Sequence, residues 1–231
     1  MLNDKFGFNF WPSFTDLMLS LVLVVLIILF VISRMISTGT ENLDKARKSQ
    51  QEITTQIQSK INSKYKIAVI STNKNNIIPV KEKKADIYII DKLDRQTITF
   101  SDKLLFDSGE STLKNEGYEI LNIVGPVIGH NLKNISEIQI QGHADTVDTD
   151  DYNLSLAATR AMAVYKFLQV AVGIDPAEYL MSASSFGKYK PVGREAGQEY
   201  SIDKLNQANA TDDLKAQNRR IEIVLFYKNE L

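Results

Sequence analysis

Asp16 is the residue whose surroundings most need a chemical explanation. It precedes an apolar run, LMLSLVLVVLIILFVI at residues 17–32, in which Ser20 is the one polar residue and no residue is charged. An ionised carboxylate inside a bilayer costs about 2.5 to 3.5 kcal/mol, and such groups are kept for ion pathways, pairing or interfaces. The alternative is an acid at the headgroup boundary, favoured there by the helix dipole. Asp16 is therefore a candidate ion carrier, and an interfacial role stays open.

Composition argues against most catalytic and metal chemistry. The sequence has no cysteine, which excludes disulfides, iron-sulfur clusters and zinc-thiolate sites, and its two histidines, His130 and His143, are too few for most metal centres. Because no Ser or Cys nucleophile with its own base is evident, we expect His143 to be structural. His130 lies at the end of a predicted helix, where we expect it to act as a cap. The net charge of -1 indicates no basic surface for nucleic acid. We expect no enzyme, no cofactor and no metal.

The apolar run predicts a membrane helix over residues 14–36, behind a short N-terminal region at 1–13. With its flanks the run reaches the ~20 residues that span ~30 Å of hydrocarbon. The start, MLNDKFGFNFWP, lacks the basic region and A-x-A exit of a signal peptide, so we expect an uncleaved anchor. Phe8, Phe10 and Trp11 are expected to form an aromatic belt.

Residues 37–84 are expected to form a helical linker and connector. An apolar stripe at helical spacing consists of Leu43, Ala46, Ile53, Ile57 and Ile61. Two parallel copies of the chain could pack along this stripe, which would make a dimer, or the helix could lie on its own domain or stay solvated. The segments IAVIST, IIPV and KEKK then suggest a short strand and a loop.

The remaining residues, 85–231, predict one α/β domain. Strand-like segments at 86–91, 97–102, 135–145, 179–187 and 218–227 alternate with two amphipathic helices, the second of which ends near Gly173. LLFDSG at 104–109 suggests a strand entering a turn. Strands alternating with two long helices imply a layered α/β sandwich.

Residues 97–228 resemble the OmpA-like peptidoglycan-binding family. The segments that carry the resemblance are LLFDSG, IQGHAD, YNLSLAATRA, ASSFGKYKPV and AQNRRIEI, in the order and at the spacings of the family. The resemblance implies that Asp145 and Arg160 clamp diaminopimelate of the peptidoglycan stem peptide, with Asp107 and Arg219 bordering the groove. A zwitterionic amino-acid end offers an ammonium to the carboxylate and a carboxylate to the guanidinium.

The sequence departs from that family near the implied clamp. Ala144 stands in place of the usual Thr, and Asp148 stands where Gly is common. Leu214 replaces a Gly, and residues 194–213 form a long insertion. The acidic residues at 148–151 lack the Gly and terminal Glu of an EF-hand, so no calcium site is expected.

The segment FWPSFTDLMLSLVLVVL resembles the start of B subunits of MotA/MotB-type stator units, including the ZorB subunits of Zorya anti-phage systems. The resemblance implies that Asp16 carries H+ or Na+ and that a MotA- or ZorA-like multi-span subunit is the partner. We expect a peptidoglycan-anchored stator subunit, with Zorya defence favoured because the N-terminus lacks a lysine- and histidine-rich tail and the connector is short. A flagellar stator subunit and a passive tether between membrane and wall are the alternatives.

Orientation rests on two opposing signals. Arg34, Lys45, Arg47 and Lys48 follow the span and Lys5 precedes it, so the positive-inside rule places the C-terminal side in the cytoplasm. A long folded domain can translocate regardless of such charges, and the ligand implied by the resemblance lies outside the cell membrane. We therefore expect a single-pass protein of the bacterial inner membrane, with a cytoplasmic N-terminus and a periplasmic domain.

Overall fold

A computed structural model describes residues 11–61, 64–71, 85–195 and 197–228. The chain separates into an N-terminal unit, described from Trp11 to Asp44, and a larger unit from Lys45 to Lys228. Most of the predicted N-terminal region, with Phe8 and Phe10 of the aromatic belt, lies outside the described residues, as does the connector loop at 72–84 that includes IIPV and KEKK.

The N-terminal unit is helical, as the apolar run predicts. Helix α1 runs from Trp11 to Lys60 and contains the predicted span. Its segment from Phe14 onward is long and apolar enough, by length and composition, to cross a membrane. Every side chain from residue 14 to residue 36 is exposed. A helix satisfies its own backbone hydrogen bonds, so an apolar helix of this kind is a stable form for a chain in lipid.

The C-terminal part of α1 belongs to the larger unit and fills its core. Ala46, Ile53, Ile57 and Ile61 of the predicted stripe are all buried there, Ile53 and Ile57 completely. Packing of two copies along this stripe, one of the alternatives, is not the arrangement observed, because the chain's own domain covers these side chains. The alternative, a helix lying on its own domain, is the arrangement observed. The compact unit thus begins well before residue 85, the boundary expected from the sequence.

A mixed sheet organises the larger unit. Its described strands are β1 (Ile67–Ser71), β2 (Ile87–Asp91), β3 (Arg95–Ser101), β4 (Ile135–His143), β5 (Leu180–Gly187) and β6 (Arg220–Tyr227). Their order is β1-β2-β3-β6-β4-β5; β1 pairs with β2 and β4 with β5 in parallel, and the other pairs are antiparallel. The terminal strand β6 therefore lies in the middle of the sheet, between β3 and β4.

Helices cover one face of this sheet. They are α2 (Asp102–Leu105), α3 (Asn115–His130) and α4 (Asp150–Val170), together with the buried end of α1. The core contains every second residue of the central strands, such as Ile138 and Ile140 of β4 and Ile221, Ile223 and Leu225 of β6. This alternation is the period-2 pattern of a sheet buried on one side. The predicted α/β sandwich is confirmed. Residues 104 and 105, expected in a strand, instead belong to the short helix α2.

Two local features place the elements around the end of β4. Gly142 lies against α4 so closely that a Cβ there would sit 2.0 Å from the Ala157 carbonyl oxygen. The missing side chain lets α4 approach the strand. The insertion at 194–213 contains the short helix α5 (Ile202–Gln207) and the start of α6 (Asp212–Asn218), and the Asn218 amide at the end of α6 donates to the Ala208 carbonyl over 2.8 Å.

Candidate functional site

A cavity of about 430 Å³ lies where α2, the end of β4 and the first half of α4 meet. Its lining combines acidic, basic and apolar side chains with the backbone of a turn. The charged members are Asp102, Lys103, Asp145, Asp148, Arg160 and Arg219. Three carboxylates and three cations in one cavity can bind a ligand that carries both signs of charge.

Asp145 is held two residues beyond the end of β4. Only 3% of the residue is exposed. One carboxylate oxygen accepts a hydrogen bond from the Val147 backbone N–H over 2.8 Å, and the other forms an ion pair with the Arg219 guanidinium. The first contact closes a local turn of the kind that Asp commonly forms with the backbone two residues on. The carboxylate therefore has a fixed direction and a cationic partner.

Arg160 projects from the middle of α4 and is 5% exposed. Its Nε donates to the Glu110 carbonyl over 2.7 Å and its Nη2 to the Asp107 carbonyl over 3.2 Å. Its Nη1 lies 2.8 Å from an Asp102 carboxylate oxygen. The guanidinium thus ties the turn at 107–110 to α2, and it has lost most of its freedom to move.

The structure brings the residues predicted to form the site together around one cavity. Asp145 and Arg160 line the same cavity, but each is paired with another charge, Asp145 with Arg219 and Arg160 with Asp102. Asp107 contributes its backbone carbonyl to Arg160, while its residue is exposed. Arg219 borders the cavity as expected. The roles of all four in ligand binding stay predictions.

Asp102 is a member of the cavity that the sequence reasoning missed, because it looked like the end of a strand. It is 8% exposed. Burial raises the pKa of its carboxyl, and the guanidinium groups of Arg160 and Arg219 oppose that rise. An acid two residues before the apolar LLF segment was the available signal, since a carboxylate is costly to bury there without a cation.

His143 ends β4 beside the cavity and is buried at 3% exposure. Its ring stacks on Phe186 with centroids 5.3 Å apart, and Nε2 lies 3.5 Å from a Glu222 carboxylate oxygen. Burial, reinforced by the Arg220 charge, lowers the pKa of His143 to about 4. The ring is therefore neutral at pH 7. His130 lies in the last turn of α3, where a cap was expected.

Asp148 stands at the rim of the cavity in the left-handed region, with φ at 69°. Gly, which is common at this position in the OmpA-like family, adopts this conformation readily. Other residues adopt it rarely. Asp is among the residues that tolerate it best. Among the described residues there is no group of three His, Cys, Asp or Glu side chains arranged to hold a metal ion.

Asp16 belongs to the N-terminal unit, five residues after the start of α1, and it is exposed. One turn later, the Ser20 hydroxyl donates to the Leu17 carbonyl over 2.8 Å, so the one polar side chain within the apolar run is satisfied inside its own helix. Within the described part of the chain, Asp16 is the charged residue nearest to the N-terminal end of the apolar run.

Residues 105–202 match the OmpA family. Outer membrane protein A of Bordetella avium is 30% identical over 126 residues, which are 54% of this chain and 55% of that protein. Outer membrane protein A of Escherichia coli O157:H7 is 30% identical over 125 residues, 34% of its length. The chain therefore spans about half of the first relative and a third of the second.

A solved structure extends the likeness beyond the family match. The crystal structure of a putative MotB-like protein from Desulfovibrio vulgaris aligns with a TM-score of 0.59 at 18% identity, covering 83% of this chain and 97% of that one. At this identity the likeness concerns the fold. The protein thus has an OmpA-like domain with a mixed sheet and one long apolar N-terminal helix, and its fold is that of a MotB-like protein.

Proposed function

We propose that this protein is the peptidoglycan-anchored B subunit of an ion-driven membrane stator. The observation that carries the wall-binding half is the cavity in which a buried carboxylate, Asp145, and a buried guanidinium, Arg160, face the same space. Partners fixed in this way bind a zwitterion with little loss of side-chain entropy. OmpA-like domains of this class are structural binding domains and not enzymes.

Diaminopimelate of the stem peptide fits the chemistry of the cavity. Its free end carries an ammonium for Asp145 and a carboxylate for the guanidinium of Arg160. The backbone of Ser108 and Gly109 lines the same space and can hold the peptide chain. A lysine side chain in the same position offers an ammonium alone, so the carboxylate is what distinguishes the two stems.

The membrane half of the proposal rests on Asp16 in an apolar helix. A carboxylate that is protonated or ion-bound in one state and ionised in another changes its desolvation cost, and so can convert flow of H+ or Na+ into movement. A single helix cannot enclose an ion path. We therefore assign the protein a MotA- or ZorA-like multi-span partner, a place in the inner membrane with the N-terminus cytoplasmic and the OmpA-like domain periplasmic, and a dimer formed outside the buried stripe.

The finer assignment is to a Zorya-type anti-phage system. It is supported by the N-terminal resemblance and by a short connector, since the expected span ends at residue 36 and the compact unit begins at Lys45. A flagellar stator subunit shares the Asp16 chemistry and is the second candidate. A passive tether needs the cavity but not the carboxylate in the membrane.

Competition on purified sacculi tests wall binding. Full-length protein in detergent is co-sedimented with diaminopimelate-containing sacculi in the presence of a stem tetrapeptide whose third residue is meso-diaminopimelate or the same tetrapeptide with L-lysine there. We expect the meso-diaminopimelate peptide to release the protein and the lysine peptide to leave it bound, because inside the peptide only diaminopimelate has a free ammonium and a free carboxylate on one carbon for Asp145 and Arg160. Equal release by both peptides, or absence of sedimentation, would contradict the proposal. This design avoids substituting Arg160, whose three contacts also tie the turn at 107–110 to α2.

A further inference from the structure

The Asp145 carboxylate is not open to a ligand in the described state of the cavity. Its side chain is 4% exposed. The Val147 N–H occupies one oxygen and the Arg219 guanidinium the other. A ligand ammonium must donate hydrogen bonds to a carboxylate lone pair at short range. One neighbour of Asp145 therefore has to move before an ammonium can reach it.

The two arginines of the cavity differ in how firmly they are held. Arg160 donates to two backbone carbonyls, pairs with Asp102 and has a side chain only 6% exposed. The Arg219 side chain is 31% exposed, and within the described residues its guanidinium makes one ion pair, with Asp145. A cation that reaches solvent can be rehydrated when its ion pair opens, and its long side chain then regains rotamer freedom. Arg219 is thus the neighbour that can leave.

Movement of Arg219 requires no displacement of the backbone. Its carbonyl accepts the Asp102 N–H over 3.0 Å, and its own N–H donates to the Lys215 carbonyl over 3.0 Å. Rotation of the side chain alone frees Asp145. Asp102 lies close enough for the Arg219 charge to lower the pKa of its carboxyl, so the displaced guanidinium keeps a second carboxylate nearby.

We propose that Arg219 is a resident counter-ion of the binding cavity: it occupies Asp145 when the cavity is empty and gives way to the ammonium of the ligand, while Arg160 stays in place. This inference rests on the proposed binding of peptidoglycan. The exchange replaces one cation by another, so Asp145 is never buried without a partner, a state that is strongly destabilising in proteins. A ligand whose amine is acylated cannot make the exchange, so the cavity selects stems with a free ammonium.

Arg219→Gln gives the decisive measurement, because the two readings of this residue predict opposite signs. Affinity for meso-diaminopimelate is measured by calorimetry on full-length protein in detergent, with thermal melts to verify folding. Removing a resident competitor should tighten binding by on the order of tenfold, the scale of one charge-assisted hydrogen bond. If Arg219 instead contacts the ligand, Arg219→Gln weakens binding and the exchange is overturned. Arg219→Lys, which keeps the charge, should bind more weakly than Arg219→Gln.

Lys103→Gln is the matched control, since it removes the same charge from the same cavity at an exposed position. It should tighten binding less than Arg219→Gln; an equal gain would assign the effect to the general field of the cavity and overturn the exchange. In an Asp145→Asn background, Arg219→Gln should lose its effect, as a double-mutant cycle requires. If the wild-type protein binds neither sacculi nor meso-diaminopimelate, the proposed function itself is refuted. If the wild-type protein binds and Arg219→Gln leaves the affinity unchanged or lower, only the exchange is refuted.

Discussion

Buried charges collect where the end of β4 lies beside the start of β6, and they divide into two sets. Asp145, Asp102, Arg160 and Arg219 line the cavity on the helix-covered side. Around His143 lies the second set, in which Glu222 pairs with Arg220 over 2.7 Å and with Lys190 over 3.6 Å. Burial raises the pKa of Glu222, but the neighbouring charges of Arg220 and Lys190 outweigh it and hold the pKa well below its usual value. Of the second set, His143 also lines the cavity.

His143 makes the stability of the domain depend on pH. Its pKa falls from 6.5 to about 4 in the folded protein, mainly through burial. A base with a depressed pKa stabilises the fold above its unfolded pKa, and that contribution is lost as the pH falls from about 6.5 towards 4. The full effect is on the order of 3 kcal/mol at 1.36 kcal/mol per unit. His143→Phe keeps the stacking on Phe186 and should unfold in urea with a weaker loss of stability between pH 7 and pH 4.5.

Phe is the appropriate replacement because neither ring nitrogen of His143 has a hydrogen-bond partner within the described structure. The control is His130→Ala at the exposed end of α3, which should keep the pH dependence of the wild type. Identical pH profiles for His143→Phe and wild type would show that the imidazole titrates normally in the folded state.

At the scale of elements, the buried end of α1 joins the domain through a polar network as well as through its apolar stripe. The Gln96 amide of β3 donates to the Gln50 carbonyl over 3.1 Å and to the Thr54 hydroxyl over 3.0 Å. The Gln50 side chain in turn donates to the Lys92 carbonyl over 2.8 Å. Buried polar groups that are fully paired fix one register of a helix on a sheet. The end of α1 is therefore part of the domain and not a detachable spacer.

Ile57→Ala should lower the free energy of unfolding of the domain by about 2 to 5 kcal/mol, the usual cost of a buried Ile-to-Ala cavity. Ile57 is fully buried in the core. Lys48→Ala, on an exposed position of the same helix, should change stability by less than about 0.5 kcal/mol. Urea unfolding monitored by circular dichroism gives both values. Equal stability of the two variants would indicate a solvated spacer helix.

The main strands and helices of the domain could be predicted from the sequence, because their periodicity reports which side is buried. The alternation in β2, β4 and β6 and the amphipathic repeat of α3 are local signals. The surface that covers the α1 stripe could not be predicted from the sequence. Ile53 and Ile57 have the same spacing whether they pack against a second copy of the chain or against their own sheet. Helix α2 also escaped prediction, because four residues are too few to show a helical period.

The members of the candidate site could be predicted from the sequence, but their ion pairs could not. Family-like motifs located Asp145, Arg160 and Arg219 at one cavity, but pairing depends on side-chain geometry across α2, α4 and β6. No spacing in the chain indicates that Asp145 pairs with Arg219 instead of with Arg160. Asp102 was overlooked for the same reason, as its cation lies 58 positions away along the chain.

At the scale of the whole molecule, the proposed motor and the passive tether differ in one requirement. Both need a wall-binding domain and a membrane helix. Only the motor needs a carboxylate that ionises within that helix, because a tether gains nothing from a group that costs energy to place in lipid. The membrane unit and the wall-binding unit can therefore be tested separately by substitutions in one or the other.

Asp16→Asn decides between the two, since it keeps the size and polarity of the side chain and removes its ability to ionise. In the native host, the deleted gene is complemented with wild type, Asp16→Asn or Asp16→Glu, and phage resistance, swimming motility and membrane levels of the protein are measured. For a Zorya-type motor we expect Asp16→Asn to accumulate normally but to lose phage resistance without loss of motility, and Asp16→Glu to keep part of the resistance because it still ionises. Loss of motility in place of resistance would assign the protein to a flagellar stator. Full output from Asp16→Asn at normal levels would refute the ion-carrying role, because a neutral amide is easier to place in the membrane than a carboxylate and leaves only anchoring to explain the protein.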